Sequence, residues 1–202
     1  MTLGLLLLAA AFCLTGYNIY QAKKAQSLAA DVMGEIKMAV PAPEVNEVED
    51  QKEEQTEEEI PIHVAFPEKE MPTVKINDER YIGILEMPSI GITLPVFGGE
   101  WSYSKLRTAP CRYSGSVYKD NMVIAAHNYS SHFGKIKNIL PDSEIIFTDI
   151  EGNVFHYVVG WLDVLEATDI EEMKDAEEWD LTLFTCTYGG KSRYALRCIR
   201  VE

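Results

Sequence analysis

Cysteine is sparse in this chain. The four that occur, Cys13, Cys111, Cys186 and Cys198, form no CxxC pair and show no metal-ligand spacing with the four histidines. That pattern excludes a disulfide scaffold and the common zinc motifs. A Cys111–Cys198 bridge is conceivable, but two packed thiols are the simpler expectation. Positive charge is short as well: 18 Lys and Arg stand against 32 Asp and Glu, a formal net charge of −14 over 202 residues. A nucleic-acid partner, which calls for a basic patch, is not expected. There is no internal repeat, and long apolar runs are missing except for one near the N-terminus.

That run, Thr2 to Tyr20, is close to the roughly 20 residues a helix needs to cross a bilayer core. No basic stretch precedes it, and the Ala9-Ala10-Ala11 patch lies early for a cleavage site, so residues 1–21 are expected to be an uncleaved transmembrane anchor. Lys23 and Lys24 follow the run, and by charge bias alone they would place that end in the cytoplasm. Residues 22–76 read as a linker rich in Pro and acidic residues, with some helical character over Ala22 to Met38. Glu44 to Glu59 holds nine acids against one Lys and so carries −8 of the net charge. Such a segment is expected to be disordered and extended, and no packing pattern is evident before about Asn77.

From Tyr81 onward the pattern is all-β. Strands are expected at Tyr81–Glu86, Ile92–Val96, Met122–Ala126, Ser143–Phe147, Val154–Leu165, Leu181–Thr187 and Ser192–Val201. Short helices are expected near Trp101–Leu106 and Asp169–Glu178, and Cys111–Tyr118 reads as loop. Many short strands between turn signals argue for a barrel or sandwich over residues 77–202.

The hairpin DLTLFTCTYGGKSR (Asp180–Arg193) carries the chemistry. A four-residue loop, Tyr188 to Lys191, pairs Thr187 with Ser192 and sets Cys186 opposite Arg193. Alternation then puts Leu181, Leu183, Leu196 and Cys198 on a core face. Thr182, Phe184, Cys186, Arg193, Ala195 and Arg197 fall on the outside of the sheet. A thiol beside a guanidinium favours thiolate, and a planar donor suits an oxyanion. A packing cysteine beside an exposed arginine is the ordinary alternative. Four histidines compete as its proton partner. His63 lies in the linker, His156 in mid-strand and His132 in a polar loop where solvation accounts for it. His127 ends an apolar strand, where residues project into a groove.

TLFTC with an arginine on the following strand resembles the sortase signature TLxTC…R. YIGILEMPSIGITLPVF (Tyr81–Phe97) is similar to that family's opening strand-Pro-strand unit. VIAAHN (Val123–Asn128) is similar to its histidine strand, with Ala126 where Gly is usual, and Phe133 and Ile136 resemble the F-x-x-L that follows. The resemblance covers roughly residues 78–202. It implies a closed sortase-like β-barrel with short helices, behind a transmembrane helix and a disordered linker. It implies a cysteine transpeptidase of Gram-positive cell surfaces that needs no cofactor, with its domain outside the membrane. In that reading Cys186 is the nucleophile, His127 the general acid and base, and Arg193 the oxyanion donor. Thr185, Asn128 and Phe184 are expected to contact substrate. The implied partners are proteins bearing an LPXTG-like sorting signal, and an amine acceptor such as a peptidoglycan precursor or a pilin lysine. The short turn after Cys186 is more like class B or D. The acidic loop Asp169–Glu178 invites comparison with the Ca²⁺ loop of some sortases, although a solvated helix face is the simpler reading. A catalytically silent surface-binding domain and a hydrolytic cysteine peptidase are the competing functions.

Overall fold

The computed structural model describes residues 2–41, 60–175 and 177–201. The acidic run Glu44–Glu59 therefore lies outside the described residues. In chain order the elements are α1 (Thr2–Ala39), α2 (Ile62–Ala65), β1 (Val74–Ile76), β2 (Glu79–Met87), β3 (Ile92–Phe97) and β4 (Cys111–Ser114). They continue with β5 (Met122–Ala125), β6 (Glu144–Asp149), β7 (Val154–Glu166), α3 (Ile170–Lys174), β8 (Leu181–Cys186) and β9 (Ser192–Val201).

Eight strands close into a barrel in the order β2-β3-β4-β5-β8-β9-β7-β6, with β6 pairing back onto β2. β1 shares the same edge of β2 as β6, pairing residues 79–81, while β6 takes residues 83–86. Gly83 stands where the two meet. A Cβ there would lie 2.1 Å from the Thr148 carbonyl, so only glycine lets β6 approach closely enough to close the barrel. The two parallel pairings, β3 with β4 and β5 with β8, are reached by crossovers around the barrel ends.

Alternation fills the interior. Leu85 and Met87 of β2, Ile124 of β5, Phe147 of β6, Tyr157 of β7, Leu181 and Leu183 of β8, and Leu196 and Cys198 of β9 all lie in one core cluster. The face expected to be outside is not bare. Thr182, Ala195 and Arg197 are buried, because α3 and its flanks lie over this side and add Leu165 and Met173 as a second layer. The stretch read as loop at Cys111–Tyr118 begins with strand β4. Its polar CRYS sequence hides the signal, and pairing to β5 supplies the order instead. All four cysteines are free.

Residues 22–41 and 60–76, read as linker, contain ordered elements. α1 is one 38-residue helix, about 57 Å long at 1.5 Å per residue. Its first half is exposed and apolar enough to cross a membrane. In its second half Ala25, Ala29, Val32 and Ile36 are buried, and their three- and four-residue spacing is that of one helical face. Val32 and Ile36 pack with Ile76, Tyr81, Ile84 and Phe97 on the outside of the barrel. Met71 is buried in the main core and Ile62 packs against it.

Candidate active site

β8 and β9 pair in the expected register, with Cys186 opposite Arg193, Thr182 opposite Arg197 and Thr185 opposite Tyr194. The turn between them is tight: Thr187 N–H donates to the Ser192 carbonyl at 3.0 Å and Gly190 N–H to the Thr187 carbonyl at 2.9 Å. Gly189 and Gly190 adopt φ of 86° and 71°, the left-handed conformation that glycine takes without strain. Cys186 is partly exposed at the strand end, unlike the other two cysteines of the barrel. Burial pushes the Cys111 thiol up to about 12 and raises that of Cys198 further, so neither is a source of thiolate.

The histidine reaches Cys186 through parallel pairing. β5 and β8 run side by side with Ala125 matched to Phe184, and Ala126 N–H donates to the Phe184 carbonyl at 3.1 Å. Thr185 Oγ1 donates to the Ala126 carbonyl at 2.9 Å. Continuing that register two residues brings His127 level with Cys186, on neighbouring strands about 4.8 Å apart. The Thr185 hydroxyl is committed to this tie, which fixes the two strand ends relative to each other. Asn128 lies beside Cys186, Thr185 and Tyr194 in a small pocket under the turn.

Burial lowers the His127 pKa below the ordinary imidazole value. The nearby Arg107 charge adds to this, and Asn128 opposes it. His127 Nδ1 is buried with no hydrogen-bond partner. Tyr129 stacks on the ring at 4.0 Å between centroids and 14° between planes, which holds its orientation and favours the imidazolium when it forms. His132, expected to be solvated, is instead completely buried, with the Tyr129 ring 5.7 Å away between centroids. Its nitrogens lack a well-formed hydrogen bond, and its pKa falls to about 4, through burial first and the neighbouring His127 second, against a smaller opposing effect of the Leu106 and Thr108 backbone. Apolar packing of Phe133 and Ile136 draws this loop inward, so a polar sequence does not make it a surface loop.

Cys186 and Arg193 share a groove of about 240 Å³, floored by Ala125, Ala126, Phe184 and Thr185. Its walls are Trp101, Tyr103 and Tyr113 on one side and Ile170 and Met173 of α3 on the other. Phe184 meets Tyr113 edge-on at 5.4 Å, which makes it part of the groove lining. Arg193 Nη1 donates to the Gly190 and Ser192 carbonyls, both at 2.9 Å, and this anchors the guanidinium at the turn beside Cys186. Sequence reasoning missed the aromatic wall and the part played by Arg197. That buried side chain donates to Asp163 Oδ2, Thr182 Oγ1 and the carbonyls of Glu172 and Met173, and lies 4.1 Å from the Trp179 ring. It pins α3, and with it one groove wall, to the barrel. Among the described residues no group of three or more His, Cys, Asp or Glu is placed to hold a metal ion, the acidic stretch around α3 included.

A family model of the sortase domain matches residues 85–201. No curated protein matches the chain. Among solved structures, sortase C from Clostridium perfringens SM101 is 25% identical at a TM-score of 0.50, over 60% of this chain and 70% of that one. A Clostridium perfringens sortase C structure with the C-terminal cell wall sorting motif is 26% identical at 0.52, over 60% and 71%. A Clostridium perfringens sortase D5 transpeptidase shares the fold at 21% identity and a TM-score of 0.53, over 60% and 79%. Both classes match about equally well, so the likeness defines a family and a fold rather than a class.

Proposed function

This chain belongs to the sortase family, and from that premise we propose that it is a membrane-anchored cysteine transpeptidase whose nucleophile is Cys186. The observation that carries the reading is the convergence of three strand ends. β8 brings Cys186 and β9 brings Arg193 opposite it in one groove, and the chain leaving β5 carries His127 level with Cys186 on the neighbouring strand, at the edge of the adjoining cleft.

The chemistry follows from that arrangement. Lowered basicity leaves His127 neutral at neutral pH, so the proton it later donates comes from the Cys186 thiol. The thiolate attacks the carbonyl carbon of the substrate peptide bond. Arg193 and backbone N–H groups hold the developing oxyanion. The C–N bond then breaks, the departing amine takes the proton from His127, and a thioacyl enzyme remains. In the second half an amine attacks the thioester carbon and gives its proton to neutral His127. The C–S bond breaks and the electron pair returns to sulfur, which restores the thiolate.

The substrate is an extended peptide of the LPXTG type, laid along the groove with its apolar residues against Tyr113, Phe184 and Met173. The sorting motif held by the related Clostridium perfringens sortase C supports this class of substrate. The first half of α1 serves as the membrane span, with the barrel outside the cell. The test is to incubate the protein with an LPXTG-type peptide, with and without an amine such as triglycine. Amine-dependent transfer that disappears in His127→Ala supports the reading. Hydrolysis at the same rate with and without amine would make it a peptidase, and no cleavage at all would leave only a binding domain.

A further inference from the structure

The buried face of α1 follows a regular seam, Ala25, Ala29, Val32 and Ile36, at alternating steps of four and three residues. Continued toward the N-terminus at the same steps, the seam meets Ala22, Asn18 and Thr15. Here it no longer lies on packed residues. It overhangs a cleft of about 820 Å³ whose opposite wall is the His127–Ser131 loop and Tyr188 of the β8–β9 turn. Ser131 Oγ donates to the Ala22 carbonyl at 3.3 Å and ties the loop to the helix at this point.

Residue type changes along the seam as its surroundings do. It is apolar or small where it packs, and over the cleft it carries Asn18 and Thr15 beyond Ala22, the Thr15 hydroxyl donating to the Ala11 carbonyl at 2.9 Å. Thr15 and Asn18 are the only Ser, Thr, Asn or Gln residues between Leu3 and Tyr20, and both fall on this face. Polar side chains in a spanning segment face protein or water rather than lipid. Tyr17, Tyr20, Lys23 and Lys24 mark the interfacial end of the span, so the cleft opens at the bilayer surface.

His127 joins this cleft to the catalytic groove, since it lines the cleft and stands level with Cys186 on the neighbouring strand. No carboxylate lines the cleft and its one charged residue is Lys23, so an ammonium would not be held there as a cation. An amine would meet the imidazole as a neutral nucleophile. We propose that this cleft is the amine-side subsite and that α1 forms its second wall. The chain bearing the primary amine, departing in the first half-reaction and arriving in the second, runs from the bilayer surface along Asn18 and Ala22 to His127. The proposal rests on the transpeptidase reading above.

The test uses the full chain in nanodiscs, a short LPXTG-type peptide and triglycine as the amine. Ala22→Phe fills the inner end of the cleft. Asn18→Trp fills the outer end at an exposed position, where barrel packing is not disturbed. With thioacyl enzyme forming, each variant is expected to raise the triglycine concentration for half-maximal transfer at least tenfold and to shift product from transfer toward hydrolysis. Saturation within twofold of the unaltered protein in Asn18→Trp overturns the subsite. Absence of any thioacyl adduct in the unaltered protein is a separate result, which overturns the transpeptidase reading and this proposal with it.

Discussion

Replacing Arg197 by Ala removes a fully buried cation that is bonded to four groups at once. Left behind are Asp163, Thr182 and the carbonyls of Glu172 and Met173 at the end of α3. Breaking a buried ion pair from one side costs about 3–5 kcal/mol, and each orphaned buried acceptor about 1–3 kcal/mol. Asp163 keeps 32% of its side chain in solvent and can rehydrate, which moderates the first figure. A loss of about 4 kcal/mol is therefore expected. At roughly 3–4 °C per kcal/mol for a barrel of this size, the melting midpoint should fall by about 12–16 °C. The assay is a thermal melt followed by circular dichroism, together with peptide kinetics below the lowered midpoint. Because Arg197 holds the α3 wall and touches no reacting atom, KM for the peptide should rise while kcat falls less than tenfold. A midpoint within 3 °C of the parent would refute the buried network as a source of stability.

Other outcomes follow from the same geometry. Arg193→Ala should lower turnover on the order of a hundred- to thousand-fold, the effect of losing an oxyanion donor worth about 2.7–4 kcal/mol, and Arg193→Lys should recover little of it in steady-state assays. Cys111→Ala and Cys198→Ala should each keep turnover within a few-fold by the same assay and lose on the order of 1 kcal/mol of stability in urea melts, as small core truncations do. His132 binds its proton near pH 4 when folded and near 6.5 when unfolded, so the unfolded state holds more protons between those values. Its contribution is present above about pH 6.5 and is lost as pH falls toward 4, about 3 kcal/mol in all. His132→Phe should flatten denaturation free energy against pH over that window, and an unchanged slope would count against the buried neutral ring.

Much of the site could be read in the chain because hairpin register is a local property. Once Gly189 and Gly190 fix the turn, Cys186 must oppose Arg193 and Thr182 must oppose Arg197. His127 was placed by its position at the end of an apolar strand, and parallel pairing with β8 completes the arrangement. What stayed hidden depends on contacts distant in sequence. Arg197 shares a strand face with Arg193, and alternation alone does not reveal that α3 and Trp179 cover one and leave the other at the rim. The burial of His132 needs the barrel end beneath it. β4 carries too few apolar residues to stand out as a strand. The seam of α1 was legible in principle, as steps of three and four from Thr15 to Ile36. The alanines that form much of it, Ala25 and Ala29 among them, are buried but too small to register as an apolar stripe.

Transfer through Cys186 requires a covalent acyl intermediate on its sulfur. Intact-mass spectrometry of the full chain after brief exposure to an LPXTG-type peptide tests it directly. A single adduct of the acyl fragment on Cys186 is expected, discharged by triglycine and missing in Cys186→Ala while Cys111→Ala and Cys198→Ala still form it. Peptide cleavage with no adduct on Cys186, or an adduct that persists in Cys186→Ala, would contradict it.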